Sequence, residues 1–264
     1  ADNAENAPSP PGATATFAPT ATDLVDMSVD IVCVPASGST FALGDTTVDC
    51  TATDDSGNDA SGSFTVKVED TTPPSIAAHD PVNATASANS GANVAYAKPT
   101  ATDIVDGDVA VNCLPASGSW FNVGSNTVTC TAKDSRNNTA TSTFQVIVSY
   151  NFSGFFRPVD NLPVANVVQA GQAIPVKFSL GGNQGMNIFT AGYPRVQVMS
   201  CANNTLQDTV EETVTAGNSS LQYQANGEYH YVWKTDKAWA GTGRQLPLTF
   251  ADGKTQSANF TFKE

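Results

Sequence analysis

Cys113-Leu114-Pro115-Ala116-Ser117-Gly118-Ser119 restates, almost letter for letter, Cys33-Val34-Pro35-Ala36-Ser37-Gly38-Ser39. The restatement spreads outward from this heptad. Pro19-Thr20-Ala21-Thr22-Asp23 returns as Pro99-Thr100-Ala101-Thr102-Asp103, Cys50-Thr51-Ala52 as Cys130-Thr131-Ala132, and Phe64 as Phe144. Each of these pairs is separated by 80 positions, with no gap between them. A period that long exceeds a solenoid unit and suits a small autonomous domain. The 264 residues therefore divide into a first module over 1–70, a second over 71–149 and a third segment over 150–264.

Both modules read as antiparallel β-structure. Val29, Ile31 and Cys33 share one face of a strand, as do Val109, Val111 and Cys113. Val48, Cys50 and Ala52 alternate in the same way, as do Val128, Cys130 and Ala132, and so do Phe64, Val66 and Val68 with their twins Phe144, Val146 and Val148. Period-two alternation with one apolar face marks a sheet covered on one side, and several such strands separated by turns make a β-sandwich. Asp54-Asp55-Ser56-Gly57-Asn58 and Asp134-Ser135-Arg136-Asn137-Asn138 are the hairpin turns. Asp70-Thr71-Thr72-Pro73-Pro74 is a short, stiff linker. In the third segment Ile174, Val176, Phe178 and Leu180 alternate, as do Tyr229, Tyr231 and Trp233, then Leu246 with Leu248 and Phe260 with Phe262. The expected fold is all-β, a tandem array of three immunoglobulin-like antiparallel β-sandwiches.

Small modules bury modest cores and often need a covalent staple. Identical spacing in the two repeats pairs Cys33 with Cys50 and Cys113 with Cys130. Each bridge is worth about 3 kcal/mol in the chain-entropy model. Cys201 is the odd cysteine, either free or bridging between chains. Disulfides place the chain in an oxidising, extracytoplasmic compartment. A net charge of −13 argues against nucleic acid and anionic membranes as partners. No apolar stretch is long enough for a transmembrane helix. Ala1-Asp2-Asn3-Ala4 reads as a mature end after leader cleavage.

The run P-T-A-T-D, then C-x-P-A-S-G-S-x-F, V-x-C-T-A-x-D and F-x-V-x-V, over most of residues 12–149, resembles the hyalin repeat. That resemblance implies an immunoglobulin-like sandwich of extracellular proteins, associated with adhesion. Pro175-Val176-Lys177-Phe178-Ser179-Leu180 and Tyr231-Val232-Trp233-Lys234-Thr235-Asp236-Lys237-Ala238-Trp239 resemble the bacterial PxKF domain, which implies a secreted bacterial protein. Where that resemblance implies a second cysteine before Arg244, this chain has Gly243, so Cys201 lacks its intradomain partner.

Candidate sites are few. In a seven-strand sandwich the loop after the second strand and the loop before the last lie at one end, beside the N-terminus. Asp103, Asp106 and Asp134 therefore gather near Glu69 and Asp70, and Asp23, Asp26 and Asp54 form the corresponding set in the first module. Hard oxygen donors at a domain junction suit Ca²⁺, and the same aspartates also serve as turn formers and solvated charge. Trp120, Trp233 and Trp239 are candidates for stacking sugars, or for core packing. His79 and His230 lack any supporting catalytic signature, so no enzyme is expected. No cofactor is expected beyond a structural Ca²⁺.

The leading expectation is a secreted, non-enzymatic structural or adhesive surface protein whose partners are copies of itself or other surface proteins. The alternative is an array of carbohydrate-binding modules. Residues 1–11 carry Pro8, Pro10 and Pro11 and no large apolar side chain, so the first module is expected to lack its first strand. A strand from a neighbouring chain would then fill the gap and build a fibre.

Overall fold

The computed structural model describes residues 3–6, 12–25, 29–201, 204–212 and 221–263. It is all-β, built of immunoglobulin-like antiparallel sandwiches in tandem along the sequence. By contacts it forms two compact units. One gathers Ala1–His79, Lys98–Leu114 and Thr129–Thr143; the other gathers Asp80–Ala97, Pro115–Val128 and Phe144–Glu264.

In the first unit, a four-stranded sheet runs in the order Asn3–Asn6, Asp59–Glu69, Gly44–Thr53, Asp30–Val34. Val48, Val66 and Val68 point from it onto Ala13, Ala15 and Phe41, with Phe17, Phe64 and the Cys33–Cys50 bridge packed alongside. These side chains are small, so close packing of Ala and Val replaces bulk. The second module contributes Ala101–Asp103, paired on one side with Gly107–Val109 and on the other with Ser75–Ile76. Val111–Leu114 pairs with the strand Gly124–Lys133, placing Cys113 opposite Cys130.

The strand Asn3–Asn6 corrects the expectation of a missing first strand. It lies parallel to Asp59–Glu69, with Asn3 opposite Val66 and Asn6 opposite Glu69. Val82–Thr85 does the same for the second module, with Val82 opposite Val146. The expectation misjudged what an edge strand needs. A ladder is made by backbone N–H and C=O groups, and Asn3-Ala4-Glu5-Asn6 contains no proline to interrupt it. The Val66–Glu69 edge of the first module is thus paired within its own chain, and strand addition has no open edge there.

The two modules also slip in phase by one residue. Phe17 stacks edge-on against Phe64 as Tyr96 does against Phe144, a separation of 79 rather than 80. The extra residue is Lys98, whose Nζ donates to the Val111 carbonyl at 3.3 Å. A one-residue slip inside a strand would reverse its faces; here a loop absorbs it.

The third segment, in the second unit, stacks two sheets. One runs Phe155–Phe156, Ala173–Phe178, Tyr229–Lys234, Leu221–Tyr223; the other runs Ala165–Gln169, Thr255–Lys263, Gly243–Thr249, Arg195–Met199, Leu206–Glu212. Between them Phe178, Tyr229, Tyr231, Trp233, Phe250, Phe260 and Phe262 are almost wholly buried. Tyr150, Phe152 and Phe250 connect this core to the end of the second module, and the Tyr150 hydroxyl bonds Ser90 Oγ at 3.0 Å.

Candidate functional site

The acidic end of the second module is built from three local turns. Asp103 ends the short strand Ala101–Asp103, and its Oδ1 accepts from the backbone N–H groups of Val105 at 2.8 Å and Asp106 at 3.0 Å. Asp134 caps its own hairpin: Oδ1 accepts from Arg136 N at 2.9 Å and Asn138 N at 2.8 Å, and Oδ2 accepts from Asn138 Nδ2 at 2.8 Å. Asp70 Oδ1 accepts from Thr72 N at 3.0 Å. Each carboxylate is thus held by its own loop, the ordinary role of aspartate in turns.

Their placement goes beyond that role. One carboxylate oxygen from each of Asp70, Asp103, Asp106 and Asp134 lies within 4.8 Å of the others. Asp70, Asp103 and Asp134 are only 5%, 8% and 7% exposed. Asp70 Oδ2 and Asp103 Oδ2 are buried without a hydrogen-bond partner. Asp106, the exposed member, accepts from Ser135 N at 2.7 Å and Ser135 Oγ at 2.9 Å. Those bonds, joined by the charge of Arg136, hold its carboxyl below the usual range. Two unit charges 4 Å apart repel by about 4 kcal/mol at an effective dielectric near 20, so ionised carboxylates this close oppose one another. All the cluster's donors are oxygens, which suits hard divalent cations and excludes soft-metal chemistry.

Two further contacts tie the cluster to its surroundings. Asn138 Nδ2 donates to the Asp70 carbonyl at 3.0 Å. Val105, between two of the aspartates, packs against the apolar core of the first module. Sequence reasoning reached the carboxylates through loop position but passed over Val105 and Asn138. An apolar residue inside an acidic loop was the available signal for Val105.

The other expected ligands do not join the cluster. The Glu69 carboxylate turns back to Lys67 on its own strand, because neighbours two apart on a strand share a face. Asp54 is half-buried and caps its hairpin as Asp134 does, accepting from Ser56 N at 3.0 Å and Asn58 N at 2.7 Å. Asp23 is exposed and accepts from Val25 N at 2.7 Å, and Asp26 lies outside the described residues. Among the described residues no second acidic group gathers around Asp23 and Asp54.

Cys33–Cys50 and Cys113–Cys130 are bridged, and Cys201 is free and exposed. Cys113 and Cys130 sit in the core, whereas Cys33 and Cys50 are only partly buried. Trp233 is fully buried and packs against Trp239, Phe260 and Phe262, which removes it as a sugar-stacking residue. Trp239 is half-buried beneath the Arg244 guanidinium. Trp120 alone of the three is exposed, with Nε1 donating to Asn122 Oδ1 at 3.2 Å. His230 Nε2 lies at hydrogen-bond distance, 3.0 Å, from Glu228 Oε2, both side chains being half-buried.

The family model of the HYR domain matches residues 12–68 and 69–148, together just over half the chain. The chain is 31% identical over 176 residues to Hyalin of Strongylocentrotus purpuratus, covering 65% of this chain and 14% of that protein. It is 36% identical over 132 residues to Hyalin of Lytechinus variegatus, covering 48% and 25%. The chain thus spans a quarter or less of these relatives. A solved three-domain immunoglobulin fragment of titin aligns over 83% of the chain and 74% of its own length, at 12% identity and a TM-score of 0.27. The relatives give no support to the bacterial source expected above. The family match ends before the segment that resembles the PxKF domain.

Proposed function

The chain belongs to the HYR-domain family, and from that premise we propose that it is an extracellular, non-enzymatic structural element of an adhesive assembly, bound to other copies or to other surface proteins. The observation that carries this reading is the duplicated disulfide-bearing module, residues 12–68 and 69–148, in a family shared with Hyalin. Bridges in both modules support an oxidising compartment. No helix among the described residues is long and apolar enough to cross a membrane. Among the described residues, the surface clefts beside the first module's bridge are lined by Pro19, Ile31, Ala52 and Phe64 with the hydroxyls of Thr20, Ser37, Ser61 and Ser63, and no histidine or carboxylate lines them to activate a hydroxyl. Of the three tryptophans considered for the carbohydrate-binding alternative, Trp120 is exposed, Trp239 half-buried and Trp233 buried.

Adhesion is tested with microspheres coated with the chain. They are expected to aggregate with one another or to attach to the surface of cells from the source organism, and soluble chain should compete. Spheres that carry detectable chain yet do neither would overturn the proposal.

A further inference from the structure

We propose that Asp70, Asp103, Asp106 and Asp134 bind one Ca²⁺ ion, and that this ion fastens the linker and the 103–106 loop of the second module to the core of the first. The proposal goes beyond the adhesive reading and stands without it.

Two observations carry it. Four carboxylate oxygens converge within 4.8 Å, and three of the four side chains are buried. Independently, Asp70 Oδ2 and Asp103 Oδ2 are buried with no hydrogen-bond partner, while the Oδ1 atom of each is held by backbone N–H groups of its own loop. Turn formation therefore accounts for one oxygen of each of these two carboxylates and leaves the other buried and unpartnered. Native proteins seldom bury a charged oxygen without a partner. A cation among the four would satisfy both at once and cancel their repulsion.

The donor set selects the ion. There is no histidine or cysteine in the group, so zinc and copper lack their preferred ligands. Four carboxylates, each able to bind through one or both oxygens, suit the six to eight oxygens of Ca²⁺ better than the strict octahedron of Mg²⁺. Asp106 is exposed and provides the way in.

The mechanical consequence follows from where the ligands sit in the chain. Asp70 lies in the linker, Asp103 and Asp106 flank Val105, and Asp134 opens the hairpin whose Asn138 bonds the Asp70 carbonyl. Val105 packs on the core formed by Phe41, Val48, Val66 and Val68. An ion that orders the loop holds Val105 in that core. Without it, mutual repulsion favours opening of the loop and withdrawal of Val105.

The test uses the full chain, stripped with EDTA and titrated with Ca²⁺ alone by isothermal titration calorimetry, with the melting temperature and hydrogen exchange over 103–106 measured in parallel. One ion per chain at this site, a melting point raised by several degrees in about 10 mM Ca²⁺, and slowed exchange at Val105 and Asp106 are expected. D103N should weaken binding at least tenfold. D106N should do the same, and because that side chain is exposed its folding is not in question. D49N, on an exposed strand position, should bind as the unaltered chain does. The proposal is overturned by absence of binding up to about 10 mM with an unchanged melting curve, by D103N and D106N binding as tightly as the unaltered chain, or by Mg²⁺ binding equally well.

Discussion

Twin residues in the two modules differ in exposure, and exposure has chemical consequences. Cys113 and Cys130 are sealed in the core at 1% and 0% exposure, whereas Cys50 borders a surface cleft of about 400 Å³ and Cys33 one of about 460 Å³. Thiol–disulfide exchange requires access of the attacking thiolate to sulfur. Under limiting dithiothreitol the Cys33–Cys50 bridge is therefore expected to open first, at least several-fold faster, as read by differential alkylation and peptide mass. Equal rates would contradict this. Gly243 is a second instructive position. A Cβ placed there would lie 3.1 Å from Cys201 Sγ, close to the roughly 3 Å between a Cβ and the far sulfur of a disulfide. It would also lie 2.6 Å from the Met199 carbonyl oxygen, so that strand must shift slightly. G243C is expected to bridge to Cys201, abolishing the free thiol. The loop would contribute about 4 kcal/mol in the chain-entropy model, less the cost of moving Met199. A G243C chain that retains two titratable thiols under oxidising conditions would refute the geometry.

Elements show where sequence reading succeeds and where it stops. Strands with one covered face were legible because alternation is local: Val128, Cys130 and Ala132 are all fully buried, as their phase requires. Asn3–Asn6 was not legible, because an edge strand paired by its backbone leaves no apolar pattern to read. The acidic site was half legible. Topology brought Asp103, Asp106 and Asp134 together, but of the same letters in the first module Asp23 stays exposed and Asp54 only half-buried. The difference is context. Ala101–Asp103 is held between Gly107–Val109 and Ser75–Ile76, whereas residues 21–23 of the first module form no strand. Burial of an aspartate depends on neighbours that its own loop does not encode. The strand Asn3–Asn6 gives a direct prediction. Removing residues 1–6 should expose the edge of Asp59–Glu69 and speed hydrogen exchange at the N–H groups of Val66 to Glu69 that face it, leaving Val146–Ser149 unchanged. Unchanged exchange across Asp59–Glu69 would mean that Asn3–Asn6 does not protect it.

At the scale of the whole molecule, two ways of stabilising a sandwich share one chain. The first module relies on Ala13, Ala15, Val48, Val66 and Val68 around Phe41, with Phe17 and Phe64 partly buried beside them, and the second buries Val128, Val146 and Val148 together with two rings, Phe121 and Phe144. Such cores bury little area per residue, so the bridges contribute a large share of stability. The third segment has no bridge and fills its interior with Phe178, Tyr229, Tyr231, Trp233, Phe250, Phe260 and Phe262. Large aromatic side chains each bury 150–250 Å², roughly, when enclosed. Reduction should therefore separate the two. In excess reductant, residues 12–149 are expected to lose about 3 kcal/mol of protection per module, while the strands Ala173–Phe178, Tyr229–Lys234 and Thr255–Lys263 keep theirs. One region of the third segment should respond. Gln184 accepts from Ser90 N through Oε1 at 3.0 Å, and its carbonyl accepts from Ser90 Oγ at 2.5 Å. Loosening of the second module removes those partners, so exchange near residues 183–185 should rise with it. Hydrogen exchange read by mass spectrometry with and without reductant tests both parts. Parallel loss of protection across 150–264 would show that the aromatic sandwich is not self-sufficient, and that the bridges stabilise the whole chain rather than the modules that contain them.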